Sequence, residues 1–139
     1  MTDSNVFIDT APFIYALEDN EFFSAKVRNA LSEFYLKDTV MYTSLLTFTE
    51  YCVMPYRKNE TRKIEDFEQF ILDANISVLP LTKSIAKFAA QIRAKYSGIK
   101  AMDALQLATA ISRKCDVFLT NDKQLHQIEE IKVLLVDEL

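Results

Sequence analysis

With 139 residues, half of them hydrophobic and 26% charged, the chain has the composition of one globular domain, residues 1–139, with enough apolar matter for a real core. No stretch approaches the ~20 consecutive apolar residues of a membrane-spanning helix, so no membrane association is expected. The formal net charge of −4 argues against a sequence-independent nucleic-acid coater, which would be basic, but not against acids gathered around cations, which the formal sum counts as negative until metal neutralises them.

The chain opens without a basic segment followed by a long apolar run, so no secretory leader is expected. Asn5 to Thr10, NVFIDT, reads as a short apolar strand ending in Asp9. Pro12 suits the first turn of a helix, which PFIYAL continues. Glu21 to Leu36 reads as a second helix with Phe22, Ala25, Val27, Leu31, Phe34 and Tyr35 on a broad apolar face. Thr39 to Thr43, TVMYT, reads as the second strand. Ser44 or Thr47 is placed to cap the next helix, and Thr47 with Glu50 matches the capping-box spacing. That helix, Leu45 to Val53, is expected to end or kink at Pro55.

Arg57 to Lys63, RKNETRK, reads as a basic connector. Ile64 to Leu72 follows as a helix, and Ile76 to Leu79 as a third strand closed by Pro80. Thr82 caps a helix through Tyr96 that buries Ile85, Phe88, Ala89 and Ile92 together. Ser97 and Gly98 are expected to end it, with Gly98 as the C-terminal cap. The stretch from Lys100 to Asp122, KAMDALQLATAISRKCDVFLTND, holds the most information. It reads as a helix with Asp103 in its first turn and Arg113 and Lys114 in its last, where cations suit the dipole. Val117, Phe118 and Leu119 then form an apolar run suited to a strand covered on both faces, which Thr120, Asn121 and Asp122 close. Lys123 to Ile128 reads as a short helix and Lys132 to Val136 as a last strand.

Strands alternate with helices throughout. The pattern predicts an α/β three-layer sandwich with a mostly parallel central sheet of four to five strands. In such sheets ligands bind outside the carboxyl ends of the strands. Asp9 ends strand one and Asp122 follows strand four, whereas Asp116 stands at the wrong end of its strand. Asp103 starts a helix that must run antiparallel to the strand it feeds, and so begins at the same rim. Glu50 lies about a turn from that rim. Two unit charges about 4 Å apart repel by roughly 4 kcal/mol at an effective dielectric of 20. Four converging carboxylates therefore call for hard divalent cations, Mg²⁺ or Mn²⁺, able to activate water and polarise a phosphodiester oxygen.

These residues, in VFIDT, LTFTEY, MDALQLATA and FLTND, give the chain a resemblance to PIN domains, most closely the single-domain toxin ribonucleases of the VapC type. The resemblance spans the whole length. It implies a PIN-like fold, Mg²⁺-dependent cleavage of RNA, a homodimer, and a cognate antitoxin protein. It places the metal-binding acids on Asp9, Glu50, Asp103 and Asp122, and on Thr120 a hydroxyl that orients the last acid and its water.

Cys52 and Cys115 fit no metal-ligand spacing and read as reduced thiols of a cytoplasmic protein. His126, the one histidine, reads as a surface residue, which disfavours a Ser/His/Asp mechanism. Tyr51 and Tyr56 are candidates to stack an RNA base, though core or dimer contacts are the commoner use. The RKNETRK cations are candidates for phosphate contacts. Phe13, Tyr15, Phe22 and Phe23 are mostly core residues, near which an apolar groove would suit a partner helix. Two other functions compete with the nuclease. A receiver-like phosphoacceptor module also has acids at strand ends, but would want an Asp after the third strand, where Pro80 and Leu81 stand. A PIN-like domain kept only for binding would not need its four acids.

Overall fold

The computed structural model describes residues 5–139, so the reading of a leaderless N-terminus rests partly on residues outside the described ones. Five strands, β1 (Asn5–Ile8), β2 (Val40–Ser44), β3 (Ser77–Leu79), β4 (Val117–Thr120) and β5 (Lys132–Leu135), form one sheet. Their order is β3-β2-β1-β4-β5 and every pair is parallel. The helices are α1 (Thr10–Leu17), α2 (Ser24–Leu36), α3 (Leu45–Tyr51), α4 (Val53–Arg57), α5 (Thr61–Asp73), α6 (Lys83–Lys95) and α7 (Ala101–Ser112).

The strands form where they do because their side chains fill cores on both faces. Val6 and Ile8 join Phe13, Val27, Leu31, Phe67 and Leu119 on one side. Phe7, pointing the other way by the two-residue period of a strand, joins Ala104, Leu107, Ala108 and Phe118. The Phe7 and Phe118 rings stack with centroids 5.3 Å apart. Each is fully buried, which stabilises the fold by about 1.5–3 kcal/mol per ring. The expected three-layer α/β sandwich is thus observed, and its sheet is wholly parallel.

Strand order decides where a ligand can sit. From β1 the chain steps outward to β2 and β3, then returns to lay β4 on the other side of β1. The connections leaving β1 and β4 diverge at that point, which opens a crevice beyond their carboxyl ends. Asp9 follows one of these strands and Asp122 the other.

Local structure corrects several expectations. The second helix begins at Ser24 instead of Glu21, because Asn20 Oδ1 accepts the N–H groups of both Phe22 and Phe23 and holds a turn there. Thr47 and Glu50 form no capping box. Ser44 caps α3 by accepting the Leu46 N–H, while Thr47 lies buried inside the helix. The helix closes at Tyr51 instead of Val53, at the carbonyl whose partner four residues on would be the N–H that Pro55 lacks; Cys52, still helical in backbone, leads into α4 with Pro55 in its first turn. The basic connector shrinks to 58–60, since α4 runs to Arg57 and α5 starts at Thr61. Tyr96 itself turns extended and closes α6; Gly98, at φ 80°, serves the following loop and not the cap. Arg113 and Lys114 lie just past α7, with Lys114 at φ 63° and the Arg113 guanidinium 5.2 Å from the Tyr42 ring centroid. The short helix after Asp122 is a 3-10 turn, Lys123–Gln127.

Candidate active site

Asp9 leaves β1 in extended conformation and its N–H still pairs with the Leu119 carbonyl at 2.9 Å, so the sheet itself delivers the acid. Its Oδ1 accepts the Thr10 N–H at 2.9 Å and faces Gln106 Nε2 at 3.4 Å; its Oδ2 accepts the Thr120 hydroxyl at 2.8 Å. Burial pushes the Asp9 carboxyl up to about 6, against the pull of the Thr10 N–H and the Thr120 hydroxyl, with a further push from the Glu50 charge. The Thr120 hydroxyl also accepts the Asp122 N–H at 3.2 Å. One hydroxyl therefore bonds the carboxylate of Asp9 and the backbone of Asp122.

Asp103 projects from the first turn of α7. Burial pushes its carboxyl up to about 7, and the charges of Asp9 and Asp122, a hydrogen bond with Asp122, and Glu50 all push the same way. Asp122 is half-buried, and its Oδ1 accepts the Gln124 N–H at 3.0 Å. Glu50 stands exposed on α3, with Oε1 accepting the Thr10 hydroxyl at 2.7 Å.

Asp9, Glu50, Asp103, Thr120 and Asp122 line a single cleft of about 420 Å³, together with Thr10, Ile14, Tyr15 and Asn121. Among the described residues no three acidic, histidine or cysteine side chains stand as a ready-made metal cage. The donor set is oxygen only, without thiol or imidazole, and fits a hard divalent ion such as Mg²⁺ or Mn²⁺.

Reading the sequence alone missed three contributors. Thr10 holds Glu50, Gln106 reaches Asp9 from inside the protein, and Asn121 donates to the Tyr15 hydroxyl at 3.0 Å on the cleft wall. Thr10 had a signal in standing directly after Asp9; the others depend on contacts 97 and 106 residues apart in sequence. Tyr51 is no base platform, for it is buried and stacked on Phe67 with centroids 4.2 Å apart. Of the RKNETRK cations, Lys63 is engaged by Glu18 and Glu60 at 3.0 and 2.7 Å. His126 is exposed, paired with Glu138 at 3.0 Å, and absent from the cleft. Both cysteines are free thiols, Cys115 buried and Cys52 partly so.

A parallel α/β sheet whose switch point opens into a carboxylate-lined cleft defines the class of this domain. The chain belongs to the PIN domain family, whose model matches residues 6–131. No curated protein matches the chain in sequence. Among solved structures the fold is similar to VapBC2 from Rickettsia felis bound to a promoter DNA fragment, with TM-score 0.77, 14% identity, and coverage of 94% of this chain and 98% of that one. It is likewise similar to FitAcB from Neisseria gonorrhoeae, with TM-score 0.75, 25% identity, and coverage of 96% and 99%. A third is VapC20 of Mycobacterium tuberculosis, a sarcin–ricin loop cleaving toxin, with TM-score 0.65, 13% identity, and coverage of 81% and 86%. The expected likeness to VapC-type proteins is therefore present in the fold.

Proposed function

We propose that the chain is a metal-dependent endoribonuclease and the toxin of a toxin–antitoxin pair, acting in the cytoplasm. The observation that carries this reading is the convergence of Asp9, Glu50, Asp103 and Asp122 on one cleft at the switch point of the sheet. Mg²⁺ or Mn²⁺ bound there supplies a Lewis acid for a phosphodiester oxygen and a lowered pKa for the attacking water. Asp9 and Asp103 are the residues that hold the ion, and Asp122 completes the site directly or through water. Asp9 comes already aligned, because both its oxygens are hydrogen-bonded. Asp103 has the N-terminus of α7 beside it, which favours its ionised form once a cation removes the repulsion. Glu50 has Oε1 committed to Thr10, which leaves Oε2 to orient the water and take its proton.

The sarcin–ricin loop cleaving activity of VapC20 supports RNA as the substrate class. The VapBC2 structure supports a cognate antitoxin. A second cleft of about 630 Å³ lies between α1, α2 and α5, lined by Leu17, Leu31, Tyr35, Leu36 and Phe70, and it suits an apolar helix face of that partner. Exposed Leu45, Val53, Met54 and Tyr56 on α3 and α4 support a homodimer. No helix among the described residues is long and apolar enough to cross a membrane. A receiver module is opposed by topology: it has strand order 2-1-3-4-5, whereas here β3 is an edge strand followed by Pro80.

The test is RNA cleavage by purified wild type and Asp9→Asn, with Mg²⁺ and with chelator. Cleavage is expected only with Mg²⁺, and lower by about 100-fold or more in Asp9→Asn, a loss of roughly 3 kcal/mol of transition-state stabilisation. Cleavage that persists in chelator, or that Asp9→Asn leaves undiminished, overturns the proposal.

A further inference from the structure

Behind the acids, and out of reach of solvent, lies a chain of polar side chains that a packed core would not need. Gln106 is only 1% exposed, and Ser44, Thr43 and Thr47 are 0% exposed. Burying this many polar groups is costly unless each is satisfied, and a partly satisfied network is worse than an apolar core. Every one of them is satisfied, and the direction of each bond follows from the next. Ser44 Oγ accepts the Leu46 N–H at 3.1 Å, so its own proton goes to Gln106 Oε1. That fixes which way the Gln106 amide faces: its Nε2 donates to Thr47 Oγ1 at 2.9 Å and points toward Asp9 Oδ1 at 3.4 Å. Thr43 gives its proton to the Ile8 carbonyl at 2.8 Å, so in the 2.7 Å contact between the two threonines Thr47 is the donor.

The bonds thus run one way, from the Gln106 amide through Thr47 and Thr43 to the carbonyl of Ile8, the residue before Asp9. Gln106 meets Asp9 twice, directly at the carboxylate and indirectly through the backbone that carries it. It also sits three positions after Asp103 on α7, and its partner Thr47 sits three positions before Glu50 on α3. Residues three apart share a helix face, so the Gln106–Thr47 bond joins the two helices close to where each offers its acid.

We propose that Gln106 is a positioning residue for the acidic centre, holding Asp9 in place and setting the spacing between the acids of α3 and α7. It touches no substrate and acts only through Asp9, Thr47 and Ser44. The proposal rests on the metal-binding reading of the cleft. Outer partners of metal ligands commonly carry about 10–100-fold of metal affinity, a range that sets the expectation here.

The experiment is titration of the purified protein with Mn²⁺, free ion read by electron paramagnetic resonance, beside thermal unfolding without metal. Gln106→Leu is expected to raise the Mn²⁺ Kd by about 10-fold or more. Ile92→Ala, a destabilised variant in the core away from the cleft, is expected to leave that Kd at the wild-type value. If Gln106→Leu loses stability but binds Mn²⁺ as wild type does, or if Ile92→Ala weakens Mn²⁺ equally, Gln106 is structural only and the proposal fails. Should Gln106→Leu not fold, Thr47→Val decides in its place: it keeps the side-chain volume, removes the relay hydroxyl, and must weaken Mn²⁺ binding for the proposal to stand. A wild type that binds no Mn²⁺ overturns the metal reading itself, and this inference with it, an outcome distinct from a Gln106 effect that is missing in a protein that does bind.

Discussion

The Thr10 hydroxyl donates to Glu50 Oε1 at 2.7 Å, joining two residues 40 positions apart in sequence across the mouth of the cleft. Thr10 is buried at the start of α1 and Glu50 is exposed on α3. The buried partner therefore holds the exposed one. Thr10→Val keeps the shape and removes the donor. We expect kcat for RNA cleavage to fall about tenfold, or about 1.4 kcal/mol, with little change in KM. Thr10→Ser should restore it. Full activity in Thr10→Val would mean that Glu50 finds its working position unaided.

Without metal, the protein should be more stable at mildly acidic than at alkaline pH. Asp9 titrates at about 6 and Asp103 at about 7 in the folded chain, against 3.8 when unfolded. The folded state therefore binds more protons between those values. The stabilisation is complete below the unfolded value and is lost as pH rises through the folded ones, so stability should decline from about pH 4 to about pH 7. For Asp9 alone the loss is on the order of 2–3 kcal/mol. Thermal unfolding at pH 5.5 and pH 8 in chelator measures it. Asp9→Asn should flatten the profile and Mg²⁺ should raise the alkaline end. A midpoint that is the same at both pH values would contradict the desolvated, repelling cluster seen here.

Much of the candidate site is legible in the sequence because it depends on chain direction. An acid at the end of an apolar run, or in the first turn of a helix that feeds a parallel strand, must lie at the carboxyl rim. Asp9, Asp103 and Asp122 obey that geometry, and LTFTEY placed Glu50 beside them. What escaped is what depends on three dimensions. Thr47 fits a local capping pattern, yet Ser44 takes the cap and Thr47 turns inward to Gln106, 59 residues away. Gln106 did leave a trace, as the one long polar side chain amid the alanines and leucines of DALQLATA. Helix boundaries at Asn20 and Tyr96 are set by a side-chain turn and an extended residue that periodicity does not register.

The four acids should separate into holders and an orienter. Asp103→Asn removes a charge between Asp9 and Asp122, and should raise the Mn²⁺ Kd by about tenfold or more, near 1.4 kcal/mol. Glu50→Gln leaves the three aspartates intact. It should lower kcat by about 100-fold, within the range of general acid–base catalysis, while changing the Kd little. Parallel Mn²⁺ titration and cleavage kinetics decide between them. A Kd that moves as far in Glu50→Gln as in Asp103→Asn would place Glu50 among the ion's direct ligands.

Tyr56 gives the last test, because two roles compete for it. It is 63% exposed on α4, beside Val53 at 41% and Met54 at 48%, and Val53 lies three residues away on the same helix face. Exposed apolar side chains gathered this way mark an interface more often than a solvent face. A charge placed at the centre of such a contact would be desolvated without a partner, which costs several kcal/mol on association and little in the isolated subunit. Tyr56→Glu should therefore convert a homodimer to a monomer in light scattering at tens of micromolar, an order of magnitude chosen to exceed ordinary interface dissociation constants. Its unfolding free energy at a concentration where both forms are monomeric should stay within about 0.5 kcal/mol of wild type. If Tyr56 instead stacks an RNA base, the oligomer is untouched and KM for RNA rises, since an aromatic platform is worth about 1–3 kcal/mol per base. A wild type already monomeric at those concentrations would remove the dimer and leave base stacking as the role of this ring.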